Sequence, residues 1–213
     1  MTYAEAYGFY RREIGAPRQR LLFLLLKLTL GAEPAWLPIN IEDPSEDADK
    51  LHQYLDKDTV KKLLAIHPPD IVLLKYWRLA ARYWRFVALI EATGSRLSLH
   101  ELEERGVWVE LNKYKKIEFF SEPERIVFAY VIDQRLWTLK EPWLLWIPGS
   151  ALLKHRSDAW LWQGRTRWAD RERYLVYPLD IFRTSWRALL GYIRWLGDEA
   201  ADPNPDNLAN FMW

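Results

Sequence analysis

The chain has 213 residues, of which half are apolar and 28% are charged, and its formal net charge is +1. This length allows one large domain or two small lobes around a buried core. Because cysteine is absent, disulfides and thiolate metal sites are excluded. The near-neutral charge argues against a protein that coats DNA generally.

The choice of residues also indicates an environment. Met, Asn and Gln are scarce, whereas Arg, Glu and Pro are plentiful, which is the composition of proteins from hot environments. The 13 tryptophans predict contacts at which the indole N–H finds a partner. We expect a cytoplasmic protein from a thermophile.

The first predicted elements are helices. The leucine-rich segment 18–30, with Gly31 as its C-cap, is too short to span a bilayer and is interrupted by Lys27. It therefore predicts a buried helix and no membrane contact. The other helices predicted in this part of the chain cover 2–14, a segment that starts near Glu46, and 58–66.

A long amphipathic helix is predicted from Asp70, its N-cap, to Gly94. One face would carry apolar and aromatic residues, and another would carry basic residues at spacings of three and four. Such a stripe suits a polyanion, although an ordinary solvated helix face has the same pattern. The stripe consists of Lys75, Arg78, Arg82 and Arg85.

After the basic helix the pattern changes towards strands. Ser98 and Glu101 predict a capping box on a short helix that reaches Arg105. Strands over 107–111 and 116–120 would then form a hairpin, which resembles the wing of a winged helix, whose tip touches phosphate. The predicted tip carries Lys113, Tyr114, Lys115 and Lys116.

The following segments are predicted to alternate between helix and strand. A second capping box predicts a helix over 122–134, although its β-branched residues also suit a strand. Residues 143–147 predict a short buried strand, and 160–177 predict the clearest strand pair. This pair carries an arginine ribbon made of Arg165, Arg167, Arg171 and Arg173.

A last helix is predicted over 181–196, with Asp180 as its N-cap. Three arginines would share one side of this helix within about 40°, and they are Arg183, Arg187 and Arg194. The acidic tail 198–213 ends in the apolar residues Phe211, Met212 and Trp213. We expect this tip to dock on the chain's own fold or else into a partner.

Together these elements predict an α+β fold. A helical N-terminal half would pack on a C-terminal half of short antiparallel strands with helices, and a winged-helix-like arrangement is one option. The predicted domains are a helical lobe over 1–96, a mixed lobe with the Arg-rich hairpin over 97–197, and the acidic tail over 198–213.

No sequence motif specifies catalysis, and neither a metal nor a cofactor is predicted. The four histidines lack a metal-binding spacing, and no phosphate loop or nucleophile elbow occurs. A magnesium nuclease needs carboxylates and a lysine, but Glu110 and Lys113 would lie on opposite faces of a strand. The residues considered for such a site are Asp70, Glu110, Lys113, Glu118 and Glu122.

We therefore predict a nucleic-acid-binding accessory or replication-type factor of phage or mobile-element origin, rather than an enzyme. Its Lys and Arg side chains would contact phosphates, and its Trp and Tyr rings would stack on unpaired bases. The alternative is a structural or assembly subunit of a phage particle or multiprotein complex, which the abundant tryptophan favours. A metal-dependent nuclease is the weakest of the three. The sequence does not decide whether the nucleic acid is DNA or RNA, or whether the chain binds a protein partner or forms a homo-oligomer. It also does not decide whether the basic stripes share one face.

Overall fold

The computed structural model describes residues 16–33, 35–41, 49–64, 69–77, 83–94, 97–132, 143–164 and 172–198. The chain divides into two compact units. The first unit combines residues 1–22 with 91–184, and the second combines residues 23–90 with 185–213. Helices and antiparallel strands occur together, so the predicted α+β class is confirmed.

The helices are α1 (Ala16–Thr29), α2 (Lys57–Leu64), α3 (Leu99–Arg105), α4 (Leu111–Phe119), α5 (Gly149–Lys154) and α6 (Trp186–Gly197). The strands are β1 (Trp36–Asn40), β2 (Ile71–Trp77), β3 (Tyr83–Gly94), β4 (Val107–Glu110), β5 (Ile126–Val131), β6 (Leu144–Pro148), β7 (Trp160–Gly164) and β8 (Glu172–Tyr177). Short 3₁₀ turns cover Pro123–Arg125, His155–Asp158 and Leu179–Ile181. Across the described ranges, none of the helices has the length and apolar character that crossing a bilayer requires.

The second unit contains β1, β2 and most of β3 in antiparallel order. Ile39 of β1 lies opposite Val72 of β2, and Val72 in turn lies opposite Leu89 of β3. The run Ile71–Leu74 is fully buried. In a strand that is buried on both faces, apolar residues follow one another directly instead of alternating with polar residues.

This strand pair replaces the basic helix that we predicted from Asp70 to Gly94, and that prediction was wrong. The apolar runs 71–74 and 87–90 suit strands that are buried on both faces. On a helix, four consecutive residues spread around most of the axis, so part of each run would have faced water. Burial of the whole run therefore favours the strand.

The first unit contains β5 between β6 and the end of β3. β5 and β6 pair antiparallel, with Phe128 opposite Ile147, and all their residues are buried. The helix predicted over 122–134 is wrong, and the alternative strand reading of that segment is confirmed. Pro123 opens a 3₁₀ turn instead, and the β-branched residues after it continue as β5.

The segment predicted as a hairpin over 107–120 is the strand β4 followed by the helix α4, so the predicted wing is wrong. Lysine ordinarily faces water, which is why this segment indicates an exposed tip in sequence. In the fold, however, two lysines lie on the buried face of α4, because residues three apart share one side of a helix. The buried residues of α4 are Lys113, Tyr114, Lys116 and Ile117.

Several elements with strong local signals are confirmed. The leucine-rich segment forms the helix α1, but that helix is not buried all round, because Leu22 and Leu26 are buried whereas Leu28 is 71% exposed. α3 carries the capping box of Ser98 and Glu101. β6 and the strand pair over 160–177 also form, the latter as β7 and β8. The last helix forms as α6, but its N-cap is Ser185, because Asp180 belongs to a 3₁₀ turn.

Candidate functional site

Lys75 and Arg85, from the predicted basic stripe, are register partners on β2 and β3. The Lys75 ammonium donates to the Gly197 carbonyl and to Asp198 Oδ1, each at 2.9 Å. It also lies 5.2 Å from the ring centre of Trp36. A carboxylate that begins the acidic tail therefore neutralises this lysine.

The arginines of the predicted last stripe do not share one helix, so that prediction was wrong. Arg183 precedes α6, exchanges backbone hydrogen bonds with Trp146 and places its guanidinium 5.1 Å from the Trp146 ring centre. Arg187 and Arg194 lie on α6 and are exposed. Arg194 pairs with Glu33 at 2.7 Å.

The remaining predicted site residues fall into two groups. Arg173 on β8 and Lys115 on α4 are exposed, whereas Lys113, Tyr114 and Lys116 are buried. The others lie outside the described residues, namely Arg78, Arg82, Arg165, Arg167, Arg171, Phe211, Met212 and Trp213.

A group of buried charged side chains lies between β3 and α4 in the first unit. Glu91 is 1% exposed, Lys116 is 2% exposed and Lys113 is 8% exposed. The Lys116 ammonium donates to Glu91 Oε1. The Lys113 ammonium lies 3.5 Å from Glu91 Oε2 and donates to the Ala92 carbonyl at 2.7 Å. Two ammonium groups thus contact one buried carboxylate.

This charged group is costly, which makes it a candidate functional site. Removing ions from water carries a penalty of several kcal/mol per ion that pairing only partly offsets. Glu91 Oε2 also accepts no hydrogen bond within the described part of the chain. Departures from an apolar interior are expected at functional or strained sites.

The sequence analysis missed Glu91, although a signal was present. Glu91 is the sole acid of β3 and follows the apolar run Val87–Ile90, and an acid in a buried strand needs a partner. Lys116, which supplies that partner, lies 25 residues further along the chain. Nothing local in the sequence connects the two residues.

The chemistry of this group suits an anion better than a metal cation. Magnesium and calcium take several oxygen ligands, whereas here two ammonium groups contact the carboxylate of Glu91. Within the ranges that the structure describes, no group of three or more His, Asp or Glu side chains could hold a metal ion. A phosphate group, in contrast, would be attracted by the two ammonium groups.

The carboxylates considered for a magnesium site have other surroundings. Glu110 is exposed and accepts a hydrogen bond from Asn112 Nδ2 at 3.3 Å, while Lys113 points to Glu91. Glu122 pairs with Arg125. Glu118 is exposed on α4, and Asp70 belongs to the second unit.

Two buried tyrosines belong to the same unit. Burial raises the pKa of Tyr177, whose hydroxyl donates to the Leu152 carbonyl at 3.4 Å. Burial, followed by the charge of Glu118, also raises the pKa of Tyr114. The Arg156 guanidinium lies 5.9 Å from the Tyr114 ring centre. Both phenols therefore remain protonated at neutral pH, so neither is a base for catalysis.

The sheet β4-β8-β7 presents a second feature, an array of large aromatic rings that we call the aromatic face. Trp108 and Trp160 both lie opposite Val176, and Trp162 lies opposite Tyr174. Positions two apart on a strand share a face, so the four rings lie on one side of the sheet. The ring centres of Trp108 and Trp162 are 4.9 Å apart, those of Trp108 and Tyr174 5.4 Å, and those of Trp162 and Tyr174 6.0 Å.

Exposure at this sheet depends on the strand more than on the side. Trp160 is 51% exposed on the aromatic face, and Leu161 is 48% exposed on the opposite side of the same strand β7. The other three rings of the aromatic face are half-buried, and Val176, which lies among them on β8, is fully buried. The opposite side of β4 and β8 contributes to the core of the first unit through fully buried residues, which are Val107, Val109, Leu175 and Tyr177.

Comparisons with known proteins identify no family. No protein-family profile and no curated protein matches the chain. Among solved structures, the chain is similar to a nuclease from a fusselovirus, with 15% sequence identity and a TM-score of 0.49, over 84% of this chain and 92% of that one.

The prediction of a nucleic-acid-binding accessory factor was wrong. The basic surface behind the prediction loses its physical basis, because the predicted basic helix is a strand pair and two of the predicted phosphate-contacting lysines are buried against Glu91.

Proposed function

We propose that this protein is a nuclease that hydrolyses phosphodiester bonds at the group formed by Glu91, Lys113 and Lys116. The observation that supports this function is a buried carboxylate that two ammonium groups contact. Phosphodiester hydrolysis needs a base for water and positive charge for the phosphoryl oxygens, and this group offers both.

The two lysines supply the positive charge. Negative charge on the phosphoryl oxygens is stabilised in the transition state by groups that are already in position. Two unit charges 4 Å apart attract by about 4 kcal/mol at an effective dielectric constant of about 20. Lys113, the more exposed of the two lysines, is the one that contacts the phosphate.

Glu91 supplies the base once α4 moves away from β3, because at 1% exposure no water or substrate reaches its carboxylate in this conformation. Its Oε2, which accepts no hydrogen bond in the described part of the chain, takes a proton from the attacking water. The water oxygen forms a bond to phosphorus, and the bond between phosphorus and the leaving sugar oxygen breaks. Lys113 gives a proton to that oxygen, and the proton held by Glu91 then returns to Lys113 through water.

The test is a cleavage assay with the full chain on labelled single-stranded and duplex DNA and RNA, with and without magnesium. Lys113→Met keeps the aliphatic stem but removes the ammonium, so the cleavage rate should fall about 100-fold or more. Lys115→Met, on the exposed side of α4, is the matched control and should cleave at the wild-type rate. Absence of cleavage by the wild type, or equal rates for both variants, would refute the proposal.

A further inference from the structure

The strand β7 lies at one edge of the three-stranded sheet of the first unit. Its residues Trp160–Gly164 pair antiparallel with β8 on one side, and across the described residues no strand pairs with the other side. In an antiparallel strand, the backbone N–H and C=O groups of alternate residues point away from the neighbouring strand. The outer edge of β7 therefore presents backbone donors and acceptors with which another strand can pair.

The other edge strands of the two sheets are protected, whereas β7 is not. β1 contains Pro38, which cannot donate a backbone hydrogen bond. The outer side of β6 is occupied, because Trp146 exchanges backbone hydrogen bonds of 2.8 and 2.9 Å with Arg183. β4 is only four residues long and ends in the charged Glu110. Short strands, proline and charge all keep sheet edges from pairing with another chain, but β7 contains neither a proline nor a charged residue.

Exposed apolar side chains lie along β7 on both sides of the sheet. Trp160 is 51% exposed and the adjacent Leu161 is 48% exposed. Their register partners on β8, Val176 and Leu175, are fully buried, because β8 has a neighbouring strand at each edge. A further strand beside β7 would cover Trp160 and Leu161 in the same way. Exposed apolar residues on an unprotected edge strand mark a site of strand pairing.

β7 is held in its extended conformation before any partner binds. The ring centre of Trp162 lies 4.9 Å from that of Trp108 and 6.0 Å from that of Tyr174. The Trp160 ring lies 3.2 Å from where a Cβ of Gly106 would be. A strand that is already fixed loses little conformational freedom when it pairs.

A second copy of β7 is the partner that this edge fits. Antiparallel pairing of a strand with itself generates a two-fold axis, so both copies contribute the same surface. Because β7 is uncharged, this pairing places no like charges opposite each other, whereas a charged peptide would find no opposite charge on the strand. The charged residues Glu172 and Arg173 lie on β8. Three strand spacings, or about 14 Å, would separate β8 of one copy from β8 of the other.

We infer that β7 pairs antiparallel with β7 of a second copy, which joins two three-stranded sheets into one sheet of six strands. Backbone hydrogen bonds along the shared edge provide the affinity, and the side chains of Trp160 and Leu161 add apolar contacts on the two sides. The inference goes beyond the proposed function and rests on β7 alone. It therefore stands whether or not the group around Glu91 cleaves nucleic acid.

The test measures the mass of the full chain by sedimentation equilibrium. A pair of five-residue strands is smaller than a standard interface, so we expect a reversible dimer with a Kd in the micromolar range, seen between about 1 and 200 µM protein. Leu161→Lys and Gln163→Lys should each raise the Kd at least about tenfold, because the two-fold axis brings the new charge of one copy near that of the other. Gln163 is exposed, so its replacement removes no buried contact.

The matched control is Leu24→Lys, which makes the same change at a leucine that is 53% exposed on α1. It should dimerise as the wild type does, and far-UV circular dichroism should show that all variants are folded. Amide hydrogen exchange distinguishes edge pairing from stacking of the aromatic face, because only edge pairing protects the outward N–H groups of β7. Exchange over Trp160–Gly164 should therefore slow as the protein concentration rises.

Three results would overturn the inference. The first is a wild type that remains a monomer at about 200 µM, well above the dissociation constant expected of a weak interface, in which case β7 has no partner in a second copy. The second is a dimer whose Kd neither lysine variant raises, or which Leu24→Lys weakens equally. The third is a dimer in which exchange over Trp160–Gly164 is as fast as in the monomer.

Discussion

The contact of two buried ammonium groups with the one carboxylate of Glu91 makes a prediction about stability that a simple ion pair does not make. Glu91→Gln removes a negative charge that both Lys113 and Lys116 contact. Removing one partner of a buried ion pair typically costs about 3–5 kcal/mol. We therefore expect this variant to lose about 4 kcal/mol of unfolding free energy.

Lys113→Met acts in the opposite electrostatic sense. Glu91 and Lys116 stay in contact in this variant, and the methionine keeps most of the buried stem. The variant loses a charged hydrogen bond worth about 1.5–3 kcal/mol, but it no longer removes a third charge from water, which costs several kcal/mol. The net change should lie within about 1 kcal/mol of zero.

Urea unfolding followed by far-UV circular dichroism measures this asymmetry. With a slope of about 2 kcal/mol per molar urea, Glu91→Gln should lower the midpoint by about 2 M, and Lys113→Met should shift it by under about 0.5 M. Glu118→Gln, an exposed acid on α4, is the control and should change little. Equal losses for Glu91→Gln and Lys113→Met would refute the reasoning, because Lys113 would then be an ordinary structural partner.

Two further predictions concern α3 and its ends. Gly106 ends this helix at a φ of 77°, and a Cβ there would lie 2.7 Å from the Tyr177 carbonyl oxygen. Gly106→Ala should therefore lower the unfolding free energy measured by urea titration by about 2 kcal/mol or more. A loss below about 0.5 kcal/mol would contradict this. At the other end of α3, hydrogen bonds from the Ser98 backbone N–H and then from its hydroxyl lower the pKa of Glu101 in the folded state. The ionised carboxylate therefore stabilises the folded protein fully above the pKa that Glu101 has in the unfolded chain. This stabilisation is lost as the pH falls through the lower pKa of the folded state. The gap in Tm between wild type and Glu101→Gln should therefore close on acidification, and a gap that does not change with pH would count against the capping box.

Elements with local signals were predictable, and elements decided by neighbours were not. The capping box of Ser98 and Glu101 is formed by residues three apart, so the sequence contains the whole interaction. The segment over 70–94 was read as a helix because its basic residues recur at helical spacing. Burial on both faces of β2 decided the outcome instead, and the burial came from β1 and β3.

The candidate site shows the same division at the level of single residues. The basic stripes could be listed from spacing, but the contacts of Lys75 with Asp198 and of Arg183 with Trp146 could not, because those partners are distant in sequence. The aromatic face was partly visible, since Trp160 and Trp162 alternate along a strand. Trp108 joins them only through the register of β4 with β8.

The sequence alone determined the α+β class, the capped start of α3 and the strand pair that carries Trp160 and Trp162, because each depends on residues close together in the chain. The tertiary structure alone decided that Glu91 would be buried with Lys113 and Lys116. Free energies of burial depend on what surrounds a side chain, and those surroundings come from β3 and α4, which are far apart in sequence.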